Sequence, residues 1–332
     1  MLAVLAAVLA AVSLASLGFG DVKIGWREIG GIVFGPAKPQ SVEHATHITI
    51  VREIRMPRIL LALLVGGALA VAGMTMQALF QNPLADPYVV GVAPGAATGA
   101  TLALALGWGT SWFGGHALPA AAFVGSLSVS FLVYVLASRF GKVPVLHLLL
   151  FGVAIGALCM GITSFILMVS PNQIQQVYFW LLGSFQNVEW DRVRLVWPYL
   201  LIGVLVLFYF AREMDALLLG EEEAQVLGIA VERLKLILLG TATLLAATAV
   251  AVSGIIGFVG LIVPHMMRLV VGPRHRMLLP ASLLGGSTLL VLSDTLARSV
   301  LPGTEIPVGI VTTFLGVPFF VYLLSRKQRS IR

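Results

Sequence analysis

Residues 59–80 decide the fold of this chain, and they read ILLALLVGGALAVAGMTMQALF. The stretch contains no charged side chain. About 20 mostly apolar residues are enough for a helix to cross the hydrocarbon core of a membrane. The sequence therefore predicts a membrane-spanning helix here.

The same pattern recurs along the chain and predicts an all-α, polytopic membrane protein with ten transmembrane helices in one domain, residues 1–332. Residues 255–271 are the weakest of these segments because they are short and rich in glycine. The first segment lacks the basic start of a signal peptide, so we expect a retained helix. The nine other segments are 1–19, 89–107, 117–137, 146–169, 193–211, 234–252, 255–271, 278–300 and 306–325.

The composition disfavours a soluble protein. Of the 332 residues, 58% are hydrophobic and 11% are charged, and the mean hydropathy is +0.98. Soluble domains carry about 25% charged residues. We therefore expect no nucleic-acid partner despite a pI near 9.8. The single cysteine, Cys159, lies in an apolar run and excludes a disulfide framework and a zinc motif.

The distribution of Lys and Arg sets the expected orientation. With the N-terminus in the cytoplasm, roughly twelve basic residues fall on the inner side and nine on the outer side. Cytoplasmic loops carry the excess of Lys and Arg in membrane proteins. The basic tail at Arg326, Lys327 and Arg329 agrees with this orientation. Both termini are therefore predicted to be cytoplasmic, and the outer arginines need a separate explanation.

Two pairs of segments show internal similarity. Leu118-Pro119-Ala120 in the fourth segment matches Leu279-Pro280-Ala281 in the ninth, and Val71-x-Gly73 in the second matches Val252-x-Gly254 in the seventh. An offset of five helices reverses direction in the bilayer. This favours an inverted repeat of segments 2–5 and 7–10, as in transporters. The alternative is chance similarity among segments rich in Ala, Leu and Gly.

The sequence offers little catalytic chemistry. No G-x-x-x-x-G-K-[ST] phosphate loop is present, so the chain has no such device for ATP. Asp294 is the carboxylate that lies clearly inside a predicted span, and Arg298 follows four residues later on the same helix face. We expect a structural ion pair rather than a proton relay. His44 and His47 fall in an outer loop and are either ligands or solvated side chains; we expect them to be solvated. We expect no enzyme, no metal site and no cofactor.

The inner loop at about 213–233 is the most acidic part of the chain. Glu221–Ala224 is typical of the first turn of a short helix, where carboxylates favour the helix dipole. Gly228 is expected to end that helix. A second short helix is expected to follow into Glu232. The loop is either a docking element or a solvated acidic loop.

The same loop carries a resemblance. Glu222-Glu223-Ala224-x-x-x-Gly228 looks like the coupling-loop motif of ABC importer permeases. Several other stretches resemble the FecCD family of permeases, in order, over nearly the whole chain. These stretches are 55–58, 77–87, 257–268, 294–298 and 305–309.

The resemblance implies a permease subunit of an ATP-driven importer for iron complexes, either ferric siderophores or haem. Cobalamin import is the alternative, and an ion-coupled secondary transporter is a distant one. The implied partners are a second copy of the chain, two ATP-binding cassette subunits that hydrolyse ATP, and a periplasmic or lipoprotein substrate-binding protein. The implied location is the cytoplasmic membrane of a bacterium or archaeon.

The resemblance also assigns roles to residues. It implies docking of the binding protein through Arg55, Arg58 and Arg298, which would explain the outer positive charge. Val145 and Leu146 replace small hydroxyl residues of the cobalamin permeases, which disfavours that substrate. The residues expected to contact the ATPase are Glu221, Glu222, Glu223, Ala224, Gln225 and Gly228. Those expected to form the cytoplasmic gate are Asn82, Leu84, Val145 and Leu146.

Overall fold

The computed structural model describes residues 1–20, 22–35, 41–108, 116–139, 144–301 and 303–329, and within these ranges the regular structure is entirely helical. The helices in chain order are α1 (Leu2–Gly18), α2 (Trp26–Phe34), α3 (Val42–Thr49), α4 (Met56–Leu79), α5 (Val92–Ala105), α6 (Ala117–Ser138), α7 (Val145–Val169), α8 (Ile174–Leu181), α9 (Trp190–Tyr209), α10 (Ala211–Leu217), α11 (Glu221–Val226), α12 (Val231–Ser253), α13 (Val259–Val271), α14 (His275–Ala297) and α15 (Val308–Arg329).

Each of the ten predicted segments coincides with a helix. Within the described ranges, six helical stretches are long and apolar enough to cross a membrane: the one that ends with α4, and α6, α7, α9, α12 and α14. The apolar parts of α1, α5, α13 and α15 are shorter. The all-α membrane fold is confirmed, and the count of ten spans stays a prediction.

Several helices were not predicted because their polar residues interrupt the apolar runs. Helix α2 precedes α3 in the chain, and α3 leads through a π-helical stretch, Ile50–Arg55, directly into α4. Residues Val42–Leu79 therefore form one helical run of 38 residues. In α2 the side chains of Ile29 and Ile32 are buried, whereas Trp26 and Phe34 are exposed. Such one-sided burial is typical of a helix lying on the surface of a larger bundle.

Helix α4 is the centre of the bundle, and almost every side chain from Leu61 to Leu79 is buried. It packs against α12, α13 and α14. A Cβ atom added to Gly66 would collide with the carbonyl of Gly286, and one added to Gly73 would collide with that of Gly260. Such stripes of small residues let helix backbones approach closely in a membrane. Glycine at these positions is therefore a packing requirement.

The stretches after α4 and α12 correspond in the predicted repeat and have similar geometry. The first ends at Gly91 (φ 90°) before α5, and the second ends at Phe258 (φ 69°) before α13. Both residues are in the left-handed region. The two stretches also touch, since the Tyr88 hydroxyl donates to the Ile256 carbonyl at 2.9 Å. This geometry supports the inverted repeat, which stays a prediction.

Candidate functional site

The acidic inner loop contains a well-defined short helix, α11. It ends in a Schellman motif, in which the Ile229 amide donates to the Ala224 carbonyl (3.1 Å) and the Gly228 amide donates to the Gln225 carbonyl (2.9 Å). Gly228 has φ 82°, which a glycine adopts without strain. The prediction that Gly228 ends this helix is confirmed.

The prediction of a second short helix after Gly228 is wrong. Residues 228–230 are not helical, and α12 begins at Val231. The second short helix, α10, precedes α11 instead. The buried side chains of Met214 and Leu217 hold α10 against the bundle. An apolar pattern over so few residues is too short to predict this packing.

One face of α11 is anchored and the other is open. Ala224 is fully buried, and Glu221 Oε2 lies 2.6 Å from Nζ of the buried Lys235 in α12. Val226 is 88% exposed and lies among carboxylates. The exposed residues of this turn are Glu222, Glu223, Gln225, Val226, Leu227 and Gly228. An apolar tip held by an ion pair to the bundle has the form of a protein-contact surface.

The preceding helix, α10, is tied to the bundle as well. Asp215 Oδ1 accepts a hydrogen bond from the backbone amide of His275 (2.8 Å) and lies 2.6 Å from His275 Nδ1. His275 is fully buried at the start of α14. The loop is therefore attached to α14 through Asp215 and to α12 through Glu221. A displacement of α11 has a direct mechanical route to both helices.

The outer arginines lie in a buried network. Arg58 Nε and Nη2 donate to the Asp294 carboxylate at 2.9–3.1 Å, and Arg58 Nη1 donates to Glu305 at 2.8 and 3.0 Å. Arg58 is 8% exposed and Asp294 is 1% exposed. Buried charges are stable only when paired and hydrogen-bonded. The network joins α4 to α14 and to the chain before α15.

The other two arginines hold the end of α1. Arg55 donates to the carbonyls of Leu17 and Val22, each at 2.6 Å. Arg298 donates to the carbonyls of Ser16 and Phe19. The last carbonyls of a helix lack partners within the helix, and cationic side chains satisfy them well. These two arginines therefore fix α1 to the bundle.

The predicted pair of Asp294 and Arg298 is present, with Arg298 Nε 3.6 Å from Asp294 Oδ2. Asp294 nevertheless makes its shorter contacts with Arg58. The three arginines are 5–9% exposed, and their docking role stays a prediction. The expectation that His47 is solvated is wrong, because its Nδ1 lies 2.7 Å from Glu28 Oε1.

The predicted gate residues are accessible in the single chain. Leu84 is 41% exposed and Leu146 is 61% exposed. Asn82 is exposed and Val145 is half-buried at the start of α7. The two segments belong to neighbouring elements, because Gly152 in α7 packs closely on the carbonyl of Val89. Their role as a gate stays a prediction.

Two short-range hydrogen bonds shape the loop that carries Asn82 and Leu84. Asn82 Oδ1 accepts from the Leu84 amide at 3.0 Å, and Asp86 Oδ1 accepts from the Tyr88 amide at 2.8 Å. Such bonds are the usual means by which Asn and Asp stabilise turns. Burial raises the pKa of Asp86 to about 6, and the Tyr88 amide opposes this shift. These hydrogen bonds therefore hold the loop in a defined turn conformation.

Some residues of these sites were missed by sequence reasoning. Glu305 was noted only within a family motif, and its role as partner of Arg58 follows from folding across 247 positions. Lys235 was not singled out by the sequence analysis, yet it anchors Glu221. No local sequence pattern predicts the pairing of Asp215 with His275, because the two residues lie 60 positions apart.

Apolar helices pack around a buried α4, a short helix is anchored on one face and exposed on the other, and the comparisons identify the chain as a membrane permease subunit of the ABC importer class rather than an enzyme. The FecCD transport family matches residues 8–326, and the chain belongs to that family.

The named relatives of this chain are permeases for more than one substrate. A cobalamin import system permease of Halobacterium salinarum is 46% identical over 85% of this chain and 74% of the relative. A hemin transport system permease of Yersinia pestis is 42% identical over 83% of this chain and 84% of the relative. A solved structure of a metal-chelate type ABC transporter in an inward-facing conformation is 32% identical, with a TM-score of 0.84 over 98% of both chains.

Proposed function

We propose that two copies of this chain form the membrane path of an ATP-driven importer for iron complexes, ferric siderophore or haem, with cobalamin as the alternative substrate. The observation that carries the proposal is the family match over residues 8–326, and an exposed apolar stripe on α7 offers a face for the second copy. Val153, Met160 and Met168 are 70%, 68% and 71% exposed and recur every seven or eight residues, so they share one helix face. A second copy would cover this face.

A cavity next to α15 suits an organic complex better than a bare ion. It has a volume of about 620 Å³ and lies between the end of α8, residues 255–257 and α15. Leu182, Ile255 and Phe314 contribute its apolar walls, and among the described lining residues the polar side chain is that of Thr313. A bare cation in such a place would lose its hydration without gaining ligands. A chelated metal presents mainly an organic surface, which fits.

The choice between iron complexes and cobalamin needs a transport assay. The purified permease should be reconstituted into vesicles with its ATPase and binding protein and offered a ferric siderophore, haemin or cobalamin. We expect ATP-dependent uptake of an iron complex that vanadate blocks and a protonophore spares. Uptake of cobalamin alone would select the alternative. Uptake that survives vanadate and collapses with a protonophore would indicate a secondary transporter.

The proposal places the loop with α11 in the cytoplasm, against one of two ATP-binding cassette subunits. Both termini then also lie in the cytoplasm, and the permease lies in the cytoplasmic membrane. Labelling with a membrane-impermeant thiol reagent, in a Cys159→Ala background, tests this orientation in the membrane. In intact cells it should spare Leu227→Cys and label Asn187→Cys, which lies in the outer loop before α9. Labelling of Leu227→Cys from outside would reverse the orientation.

Docking of a binding protein through Arg55, Arg58 and Arg298 is also proposed, and the buried network makes it testable. Glu305 accepts hydrogen bonds from Arg58 Nη1. It is the most exposed member of the network, with 36% of its side chain accessible. If an acidic partner group binds Arg58, Glu305→Gln should free the guanidinium and strengthen binding severalfold. Weaker binding would show that Glu305 itself contacts the partner and would contradict docking through Arg58.

A further inference from the structure

A groove separates α6 and α12 on the outside of the bundle. Its volume is about 470 Å³, and its walls include Ser130, Phe131, Tyr134, Leu236, Gly240 and Thr243. Cavities of about 300–1,000 Å³ are the usual size of small-molecule sites. A Cβ atom added to Gly240 would meet no atom within 4 Å, so glycine keeps the groove open at this point.

The two helices are antiparallel, which fixes what lies at each end of the groove. Near the start of α6, Ala120 shares a small cavity with Thr248 at the end of α12. Near the end of α6, Tyr134 shares the groove with Leu236 at the start of α12. The last turn of α6 and the first turn of α12 therefore meet at one end, the end that adjoins α11.

That end carries two arginines. Arg139 follows the last residue of α6, and Arg233 lies in the first turn of α12; both are exposed. Among the residues that the structure describes, neither guanidinium has a carboxylate within 4.0 Å, unlike Arg58 or Arg194. Two exposed cations at the mouth of an apolar groove are complementary to an amphipathic anion.

The groove also contains hydroxyl groups without partners. Ser130 and Thr243 are each 5% exposed, and within the described part of the chain neither hydroxyl oxygen makes a hydrogen bond. An unpaired buried polar group costs free energy, so such groups normally have a partner. Ser130 lies about 13 Å from Arg139 along α6 at 1.5 Å per residue. A long arginine side chain and a phosphoglycerol linker together span such a depth.

We propose that this groove binds one anionic phospholipid of the cytoplasmic leaflet, with its phosphate at Arg139 and Arg233. The ester oxygens then lie at the depth of Ser130 and Thr243, and an acyl chain follows Phe131 and Leu236. The assignment to the cytoplasmic leaflet rests on the proposed function, which places α11 in the cytoplasm. The bound lipid would adjoin Lys235, the anchor of α11.

The test is retention of phosphatidylglycerol by the assembled permease and ATPase, measured by native mass spectrometry after release from vesicles of phosphatidylcholine and phosphatidylglycerol. We expect one phosphatidylglycerol per permease copy. The double variant Arg139→Gln/Arg233→Gln should retain about tenfold less, because each arginine near the surface contributes to anionic lipid binding. Arg194→Gln, an exposed arginine at the start of α9, should retain as much as the wild type. Added inorganic phosphate should not displace the lipid.

A second variant tests the groove without changing charge. Gly240→Leu fills the open space and should also reduce retention of phosphatidylglycerol while the assembled complex stays intact. The proposal is overturned if both groove variants retain as much phosphatidylglycerol as Arg194→Gln does. Loss of the ATPase subunits with retained lipid would show that the arginines contact the ATPase instead. Displacement by phosphate would indicate a simple anion site and would also overturn it. None of these measurements requires transport, so their outcome does not depend on which substrate the importer carries.

Discussion

At the residue scale, three of the arginines predicted for the outer side, Arg55, Arg58 and Arg298, lie inside the protein. Arg58 is bracketed by Asp294 and Glu305, and Arg55 and Arg298 satisfy carbonyls at the end of α1. Removing one member of a buried pair is costly because it strands the other charge. Two carboxylates therefore offset part of the charge of these three arginines within the chain.

Arg58→Gln should destabilise the protein by about 3–5 kcal/mol, because it leaves the buried Asp294 with only the longer contact to Arg298. Thermal unfolding of the purified permease measures this. The control is Arg194→Gln, which removes an exposed pair with Asp191 and should cost no more than about 1 kcal/mol. Equal shifts in the two variants would show that the buried network contributes no special stability.

At the element scale, two kinds of glycine have different physical roles. Gly66 and Gly73 lie in α4 where neighbouring backbones leave no room for a side chain. Gly228 instead ends α11 in the left-handed region, where space is free around it. The first kind sets how closely helices pack, and the second sets the shape of the exposed surface of α11.

Gly73→Ala should destabilise the bundle by about 1–3 kcal/mol, since the methyl group would collide with the carbonyl of Gly260 and force α4 and α13 apart. Thermal unfolding in detergent is the measurement. Gly240→Ala is the matched control, because its methyl group meets nothing within 4 Å and alanine favours the helix. A stable Gly73→Ala protein would mean that this helix contact is not tight in the membrane.

Gly228→Val should uncouple ATP hydrolysis from uptake. Valine disfavours φ 82°, so the end of α11 must rearrange and its exposed face must change. ATPase activity and uptake by the reconstituted transporter measure the coupling ratio. Gly107→Val is the control, since Gly107 has φ 70° in the loop after α5, far along the chain from α11. Unchanged uptake in Gly228→Val would remove α11 from the coupling mechanism.

At the scale of the whole molecule, the proposed path needs a second copy of the chain. The buried centre at α4 contrasts with α7, whose apolar stripe at Val153, Met160 and Met168 is exposed.

The sequence contains a single cysteine, so replacing it leaves an introduced cysteine as the one thiol that can form a disulfide between two copies. In a Cys159→Ala background, Met160→Cys should form an oxidised dimer between two copies, whereas Leu205→Cys on α9, 59% exposed, should not. Monomeric Met160→Cys after oxidation would contradict the path proposed along α7.

The sequence predicted much of the fold because hydrophobicity is a local property. Each apolar segment, such as 59–80 or 146–169, specifies a helix through its own length and composition. Gly228 as the end of α11 was equally local, because glycine tolerates the left-handed region. The second short helix was misplaced, since α10 depends on burial of Met214 and Leu217 against the bundle. The outer helices α2 and α3 were missed for a related reason, their apolar residues being few and one-sided.

The sequence by itself determined the membrane class, most of the helical segments, the family and the position of the turn that ends α11. The tertiary structure decided which charges meet. Arg58 finds Asp294 and Glu305 across more than 230 positions, Lys235 anchors Glu221, and Asp215 finds His275. Hydropathy and glycine geometry act over a few neighbouring residues, so the sequence displays them directly. Pairing of charges depends on which helices lie side by side, and that follows only from the packing of the whole chain.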